Sequence, residues 1–155
     1  MSGEGTFVDT NVLVYAYDID AGEKHDIAKA RLQDLWEQRS GLLSSQVLQE
    51  FYVTVTRKLA EPLPRQTARE VISAFTAWPV HRPDLDDIVA ASQVEERRRL
   101  SFWDALIVVS ARRSGAKELL TEDLQDGQRL DGVVVVNPFA GRVPGKPRSR
   151  TSCTT

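Results

Sequence analysis

Short unalternating apolar runs alternate along this chain with longer stretches whose apolar residues recur at helical spacing. Thr6 to Val8 reads as a strand ending at Asp9, and the cap-type pair Asp9-Thr10 then starts a helix near Asn11 in "NVLVYAYD". From Glu23 to Gln38, Ile27, Ala28, Ala30, Leu32, Leu35 and Trp36 define an amphipathic helix. "GLLSS" at 41–45 predicts a second strand. Residues 46–59 predict a helix with Val47, Leu48, Phe51, Val55 and Leu59 on one face, ended by Pro62 and Pro64. A helix over 66–77, an extended segment in "WPVHRP" and a helix capped by Asp84 and running to Arg99 follow. Ser101 opens a helix through Arg113 whose body, "ALIVVSA", is apolar on nearly every side and so belongs in the middle of a fold. Lys117 to Thr121 and Val133 to Val136 are the last two strands, the run "VVVV" predicting a strand covered on both faces. Strands separated by helices predict a doubly wound α/β sandwich with a mainly parallel sheet.

Composition adds bounds rather than chemistry. The 155 residues, 41% hydrophobic and 27% charged, suit one domain with a substantial core. No apolar run approaches the roughly 18 residues of a bilayer span, and "MSGEGTFVDT" lacks the regions of a secretory signal, so the expectation is a cytoplasmic protein that does not enter a membrane. The single cysteine, Cys153, allows no internal disulfide and no thiolate metal cluster. The net charge of -2 is unevenly spread: Arg142, Lys146, Arg148 and Arg150 sit in 141–155 without an acid, which leaves 16 basic against 22 acidic residues before them. We therefore expect a folded domain over 1–140 and a basic, disordered tail over 141–155. The acidic balance of the domain argues against grip on nucleic acid by phosphate neutralisation alone and permits a pocket filled by cations.

Four acids lie beside apolar runs rather than in solvated charge clusters: Asp9, Glu50, Asp104 and Asp123. Asp9 and Asp123 follow predicted strands, and ligands of open parallel sheets bind at strand carboxyl ends. Asp104 stands in the first turn of the apolar helix, where the helix dipole favours negative charge. Glu50 lies just outside the apolar arc of its own helix, so it can border a cleft. Each has a structural explanation alone, as an N-cap, a near capping box with Ser101, or a surface residue. Together they repel: two carboxylates about 4 Å apart oppose one another by roughly 4 kcal/mol at an effective dielectric near 20. An all-oxygen set suits Mg²⁺, with Mn²⁺ as a substitute, and metal-assisted phosphodiester hydrolysis.

Other features carry less. His25 and His81 sit in neither a hydroxyl nor a carboxylate context and read as surface or satisfied structural residues. Asp84, Asp86 and Asp87 simply open a helix, and Arg97, Arg98 and Arg99 end one, where cations complement the dipole. Arg57, Lys58, Arg65 and Arg69 flank the helix of Glu50 as candidate RNA phosphate contacts. Trp36, Trp78 and Trp103 read as core or interface aromatics. No Walker A loop or dinucleotide fingerprint is present. A dehalogenase-type phosphoryl transferase needs a second aspartate two positions after the first, where Asn11 stands, and a receiver needs a different acid cluster with a lysine.

With these residues in hand, the chain resembles the PIN-domain ribonucleases, specifically VapC-type toxins of bacterial toxin-antitoxin pairs. "FVDTNVLVYAYD" is similar to the family's opening strand and first acid, "SSQVLQEFYVTVTRK" to the segment of the second, and "LSFWDALIVVSARRSGAKELLTEDLQDG" to the stretch bearing the third and fourth. The resemblance covers residues 5 to 139. It implies a three-layer α/β/α sandwich and Mg²⁺-dependent endoribonuclease activity, often on transfer RNA. It also implies a homodimer and a cognate antitoxin that occupies the groove. By it Asp9 and Asp104 are the principal metal ligands, and Glu50 and Asp123 complete the pocket directly or through water. Thr10, Asn11, Thr121 and Asp126 would support them. A catalytically silent PIN-like interaction module is the alternative.

Overall fold

The computed structural model describes residues 5–141, and the expected basic tail lies outside the described residues. β1 (Thr6–Val8) leads into α1 (Thr10–Tyr15), because the Asp9 side chain accepts the backbone N–H of Thr10 as an N-cap. The helix therefore starts one residue earlier than expected. After a 3₁₀ turn at Ile19–Ala21 come α2 (Glu23–Gln38), β2 (Gly41–Ser44) and α3 (Ser45–Arg57). Ser44 ends the second strand and caps α3 through the Val47 N–H. The single helix expected over 66–77 is α4 (Arg65–Ala74) followed by a 3₁₀ turn at Phe75–Ala77. β3 (Val80–His81), α5 (Leu85–Arg98), α6 (Phe102–Arg113), β4 (Glu118–Leu120), β5 (Arg129–Leu130) and β6 (Val133–Val136) complete the fold.

The strands form one sheet in the order β3-β2-β1-β4-β6-β5, parallel throughout except for β5 against β6. This is the expected three-layer α/β/α sandwich. The chain reverses direction across the sheet at β1, with β2 on one side and β4 on the other, so the carboxyl ends of these two neighbours flank Asp9. α6 meets β2, β4 and β6, and every residue from Ala105 to Ala111 is buried, as its all-round apolarity predicts. α5 packs chiefly on α6 through Ala91, Val94, Ala105, Leu106 and Val109.

Two expectations change. β6 is not covered equally on both faces: Val133 and Val135 are buried, while Val134 and Val136 are half-buried. The antiparallel edge strand β5 was not foreseen. It exists because Asp131 and Gly132, both at positive φ (54° and 91°), close a two-residue hairpin onto β6.

Candidate metal centre

The acids meet at the carboxyl edge of β1 and β4. Asp9 is 5% exposed and its carboxylate is held on both oxygens. Oδ1 accepts the Thr10 N–H at 2.7 Å; Oδ2 accepts the Thr121 hydroxyl at 2.8 Å and the Asn11 amide at 3.4 Å. Thr121, fully buried after β4, also accepts from Asn11 Nδ2 at 3.2 Å and from the Asp123 N–H at 3.0 Å. Asn11 Nδ2 reaches Asp123 Oδ2 at 2.9 Å, and its Oδ1 accepts the Glu122 N–H at 3.3 Å. One asparagine thus ties the first acid to the fourth.

Glu50 joins from α3: its Oε1 accepts the Thr10 hydroxyl at 2.6 Å and its Oε2 accepts Gln46 Nε2 at 3.0 Å. Gln46 Nε2 also reaches the carbonyl of Trp103 at 3.4 Å, which joins α3 to the start of α6. There the Ser101 hydroxyl caps the N–H of Asp104, whose carboxylate stands at the rim. Asp126 lies further out, where its Oδ1 accepts the Asn137 N–H at 2.9 Å. Arg57, Lys58, Arg65 and Arg69 are all exposed. Arg57 lies seven residues after Glu50 on the same helix, so at 3.6 residues per turn both fall on one stripe, about 10 Å apart along the axis.

Electrostatics mark the cluster as strained. Burial, opposed by the Thr121 and Thr10 hydrogen bonds and reinforced by the charges of Asp123 and Asp104, raises the Asp9 pKa from 3.8 to about 7. Burial also raises Asp104, with the charges of Asp123 and Glu50 adding to it against the Ser101 hydrogen bond. Asp9, Asp104 and Asp123 therefore act on one another, and Glu50 acts on Asp104. Among the described residues no group of three or more His, Cys, Asp or Glu side chains is placed to hold a metal ion. The donor set fits a hydrated Mg²⁺, which keeps several waters and takes one or two carboxylates directly. Gln46 points the same way: it is 6% exposed, and its Oε1 has no hydrogen-bond partner among the described residues. A water on a bound cation would satisfy that acceptor.

Three contributors escaped sequence reasoning. Gln46 was findable, one turn before Glu50 on the same stripe. Tyr15 and Lys24 were not, because only the fold brings them to Glu122, whose Oε2 accepts Tyr15 OH at 2.6 Å and whose Oε1 accepts Lys24 Nζ at 2.8 Å. One other sequence reading needs correction: His81 does meet a carboxylate, Asp87 Oδ2 at 2.8 Å, although it remains a satisfied structural residue. Asp87 opens α5 as expected, within a capping box, and is 1% exposed. Of the tryptophans read as core or interface aromatics, Trp78 is buried beside Phe75 and Trp36, while Trp36 is 41% and Trp103 61% exposed.

A parallel α/β sheet with acids gathered over its switch point defines a class of ligand-binding α/β domain. Residues 6–131 match the PIN domain, and the chain belongs to the PIN-domain family. Among solved structures, it is similar to a toxin-antitoxin complex from Klebsiella pneumoniae, with TM-score 0.66 at 19% identity over 87% of this chain and 98% of that one. It is also similar to Mycobacterium tuberculosis VapC20, described as a sarcin-ricin loop cleaving toxin, with TM-score 0.59 at 22% identity over 74% and 87%. A third is Rickettsia felis VapBC2 bound to a promoter DNA fragment, with TM-score 0.58 at 18% identity over 84% and 96%. No curated protein matches the chain. Among the described residues no helix is long and apolar enough to cross a membrane.

Proposed function

We propose that this protein is a Mg²⁺-dependent endoribonuclease that hydrolyses RNA phosphodiester bonds, transfer RNA being one candidate substrate, and that it acts as the toxin of a toxin-antitoxin pair. The observation that supports the reading is the coupling of Asp9, Glu50 and Asp123 through hydrogen bonds of Thr10, Asn11 and Thr121, with Asp104 joined to Asp123 and Glu50 by charge. Asp9 and Asp104 would be the principal ligands, with Glu50 and Asp123 binding directly or through water. A divalent ion held there supplies an activated water and positive charge for the leaving oxygen.

The chain's own residues do the rest. Thr121, Thr10 and Asn11 fix the Asp9 carboxylate, and Asn11 keeps Asp123 turned toward it. Because Asp9 titrates near neutrality, cation binding displaces its proton, so metal affinity rises with pH through about 7. Arg57 and Lys58, with Arg65 and Arg69 beyond them, are suited to RNA phosphates leaving the notch along α3. Similarity to a toxin-antitoxin complex supports a cognate antitoxin as the inhibiting partner. A homodimer is the assembly that the family resemblance implies.

Cleavage of total RNA in Mg²⁺ tests the reading. Asp9→Asn and Asp104→Asn should each lower the rate at least about a hundredfold, the scale of losing a metal's contribution to the barrier, with circular dichroism unchanged. Undiminished cleavage by both variants, or cleavage indifferent to EDTA, overturns it. No cleavage by the wild type, with no Mg²⁺-induced NMR shifts near Asp9, leaves the silent interaction module.

A further inference from the structure

Trp103 is a large apolar side chain left in solvent at 61% exposure, one residue before the notch acid Asp104. Its ring is braced by Phe102, with centroids 5.2 Å apart and planes at 80°, and its carbonyl is tied to α3 by Gln46. The side chain is therefore oriented rather than loose. Beside the half-buried Phe102 its neighbours are polar: Ser101 is exposed, Asp104 is half-buried, and the buried Gln46 bridges its carbonyl to the half-buried Glu50. The other exposed apolar residues of the α5–α6 pair, Leu85, Ile88 and Val89, lie toward the start of α5. That end is held to the end of α6 by Arg113 Nη1 on Asp87 Oδ1 at 2.9 Å. Ten residues of helix at 1.5 Å each put Trp103 about 15 Å from Arg113 along α6. A protein-binding face would continue in exposed apolar area, and on the described α5–α6 pair the other exposed large apolar residues lie at that far end.

Taken with the nuclease reading on which it rests, we infer that Trp103 is a stacking platform for an unpaired base next to the scissile phosphate. An isolated indole beside a phosphate-processing notch has the form of a base-stacking site, since every nucleobase offers a π-face and charge cannot hold one. A base still paired in a duplex has both faces stacked on neighbours, so the platform selects single-stranded or looped RNA. The path of the strand follows from α3, where Glu50 and Arg57 share a stripe. The base sits on Trp103, its phosphate lies over the acids, and neighbouring phosphates run toward Arg57 and Lys58.

The test separates binding from turnover by using Ca²⁺ in place of Mg²⁺ and following tryptophan emission. A short single-stranded oligoribonucleotide should quench wild-type emission, and the same sequence annealed to its complement should not. Trp103→Ala, with Trp36 and Trp78 still present, should lose the quenching and raise Kd roughly 5- to 100-fold, while Trp103→Phe keeps most of the affinity. Steady-state cleavage in Mg²⁺ should show the Trp103→Ala loss chiefly in KM. Equal affinity of wild type and Trp103→Ala, equal binding of duplex, or a Trp103→Ala protein that changes only its oligomeric state on size exclusion overturns the platform. Wild-type protein that binds single strands through Trp103 yet never cleaves RNA in Mg²⁺ refutes the nuclease reading and leaves the platform standing.

Discussion

Asp9 is asked to do two incompatible things: cap α1 as a buried group and stay ready to ionise. In the unfolded chain it titrates at 3.8, in the fold at about 7, because burial outweighs its three hydrogen bonds. Below 3.8 both states hold the proton and folding bears no penalty from this group. As pH rises through about 7 the unfolded chain ionises first, so stability is lost progressively, up to about 4 kcal/mol by pH 8 at 1.36 kcal/mol per unit. Asp9→Asn removes the charge and keeps the shape. In urea unfolding with EDTA it should gain on the wild type as pH rises from 4 to 8, and a gap independent of pH would count against a desolvated Asp9. Mg²⁺ should do for the wild type at pH 8 what the substitution does without metal, raising its midpoint and leaving that of Asp9→Asn unmoved.

At the scale of elements, what the sequence made legible and what it concealed divide by the range of the interactions. The strand-helix order, the buried α6 and the caps at Asp9, Asp84 and Ser101 were legible because each rests on spacing or on side chains within one turn. β5 was missed although Asp131-Gly132 between apolar residues is a strong local hairpin signal, because only two residues pair on its far side. The gathering of the four acids was foreseeable from strand ends, but the brace behind Asp123 was not. That brace consists of Glu122 fixed by Tyr15 and Lys24, with Tyr15 edge-on to Phe139 at 5.3 Å and Lys24 Nζ 5.0 Å from the Tyr15 ring centroid. It joins α1, α2, the loop after β4 and the chain beyond β6, which no single window of sequence contains. Tyr15→Phe removes the donor to Glu122 and should cost about 1 kcal/mol of stability, the worth of a hydrogen bond to a partly solvated charged acceptor. Loosening residues 121–123 should also raise the Mg²⁺ concentration for half-maximal thermal stabilisation about tenfold, as loss of a support behind a metal ligand does. An unchanged Mg²⁺ midpoint would make the brace purely structural.

Across the whole molecule, α5 is anchored chiefly on α6: it leans on that helix through small side chains and leaves Leu85, Ile88 and Val89 in solvent. Charges hold its two ends. Near its C-terminus, Arg97 and Arg98 reach Asp131 in the β5–β6 hairpin at 3.1 and 3.4 Å, and Arg112 joins them at 3.5 Å, but these arginines are one-third to one-half exposed and such pairs stabilise little. The N-terminal end differs. Asp87 Oδ2 accepts the Asp84 N–H at 2.9 Å within a capping box and meets His81 of the edge strand β3, while Oδ1 faces Arg113. Among the described residues Oδ1 makes the ion pair, at 2.9 Å, and no hydrogen bond. Burial pushes Asp87 up, yet the Asp84 N–H, His81 and Arg113 together hold it below the ordinary carboxylate value. A carboxylate lowered in this way stabilises the fold above pH 3.8, and that contribution is lost as pH falls through its folded value. Asp87→Ala should therefore cost about 2–3 kcal/mol at pH 7, less than a fully buried pair because Arg113 and His81 can turn to water. The deficit against wild type should narrow in melts below pH 3.8. Amide exchange should locate the loss in α5, with α6 and β1 still protected, because α5 alone depends on this carboxylate for its tie to the sheet edge. Uniform loss of protection would mean that α5 and the central sheet open as one unit, and an Asp87→Ala deficit that persists at pH 3 would assign the cost to packing rather than charge.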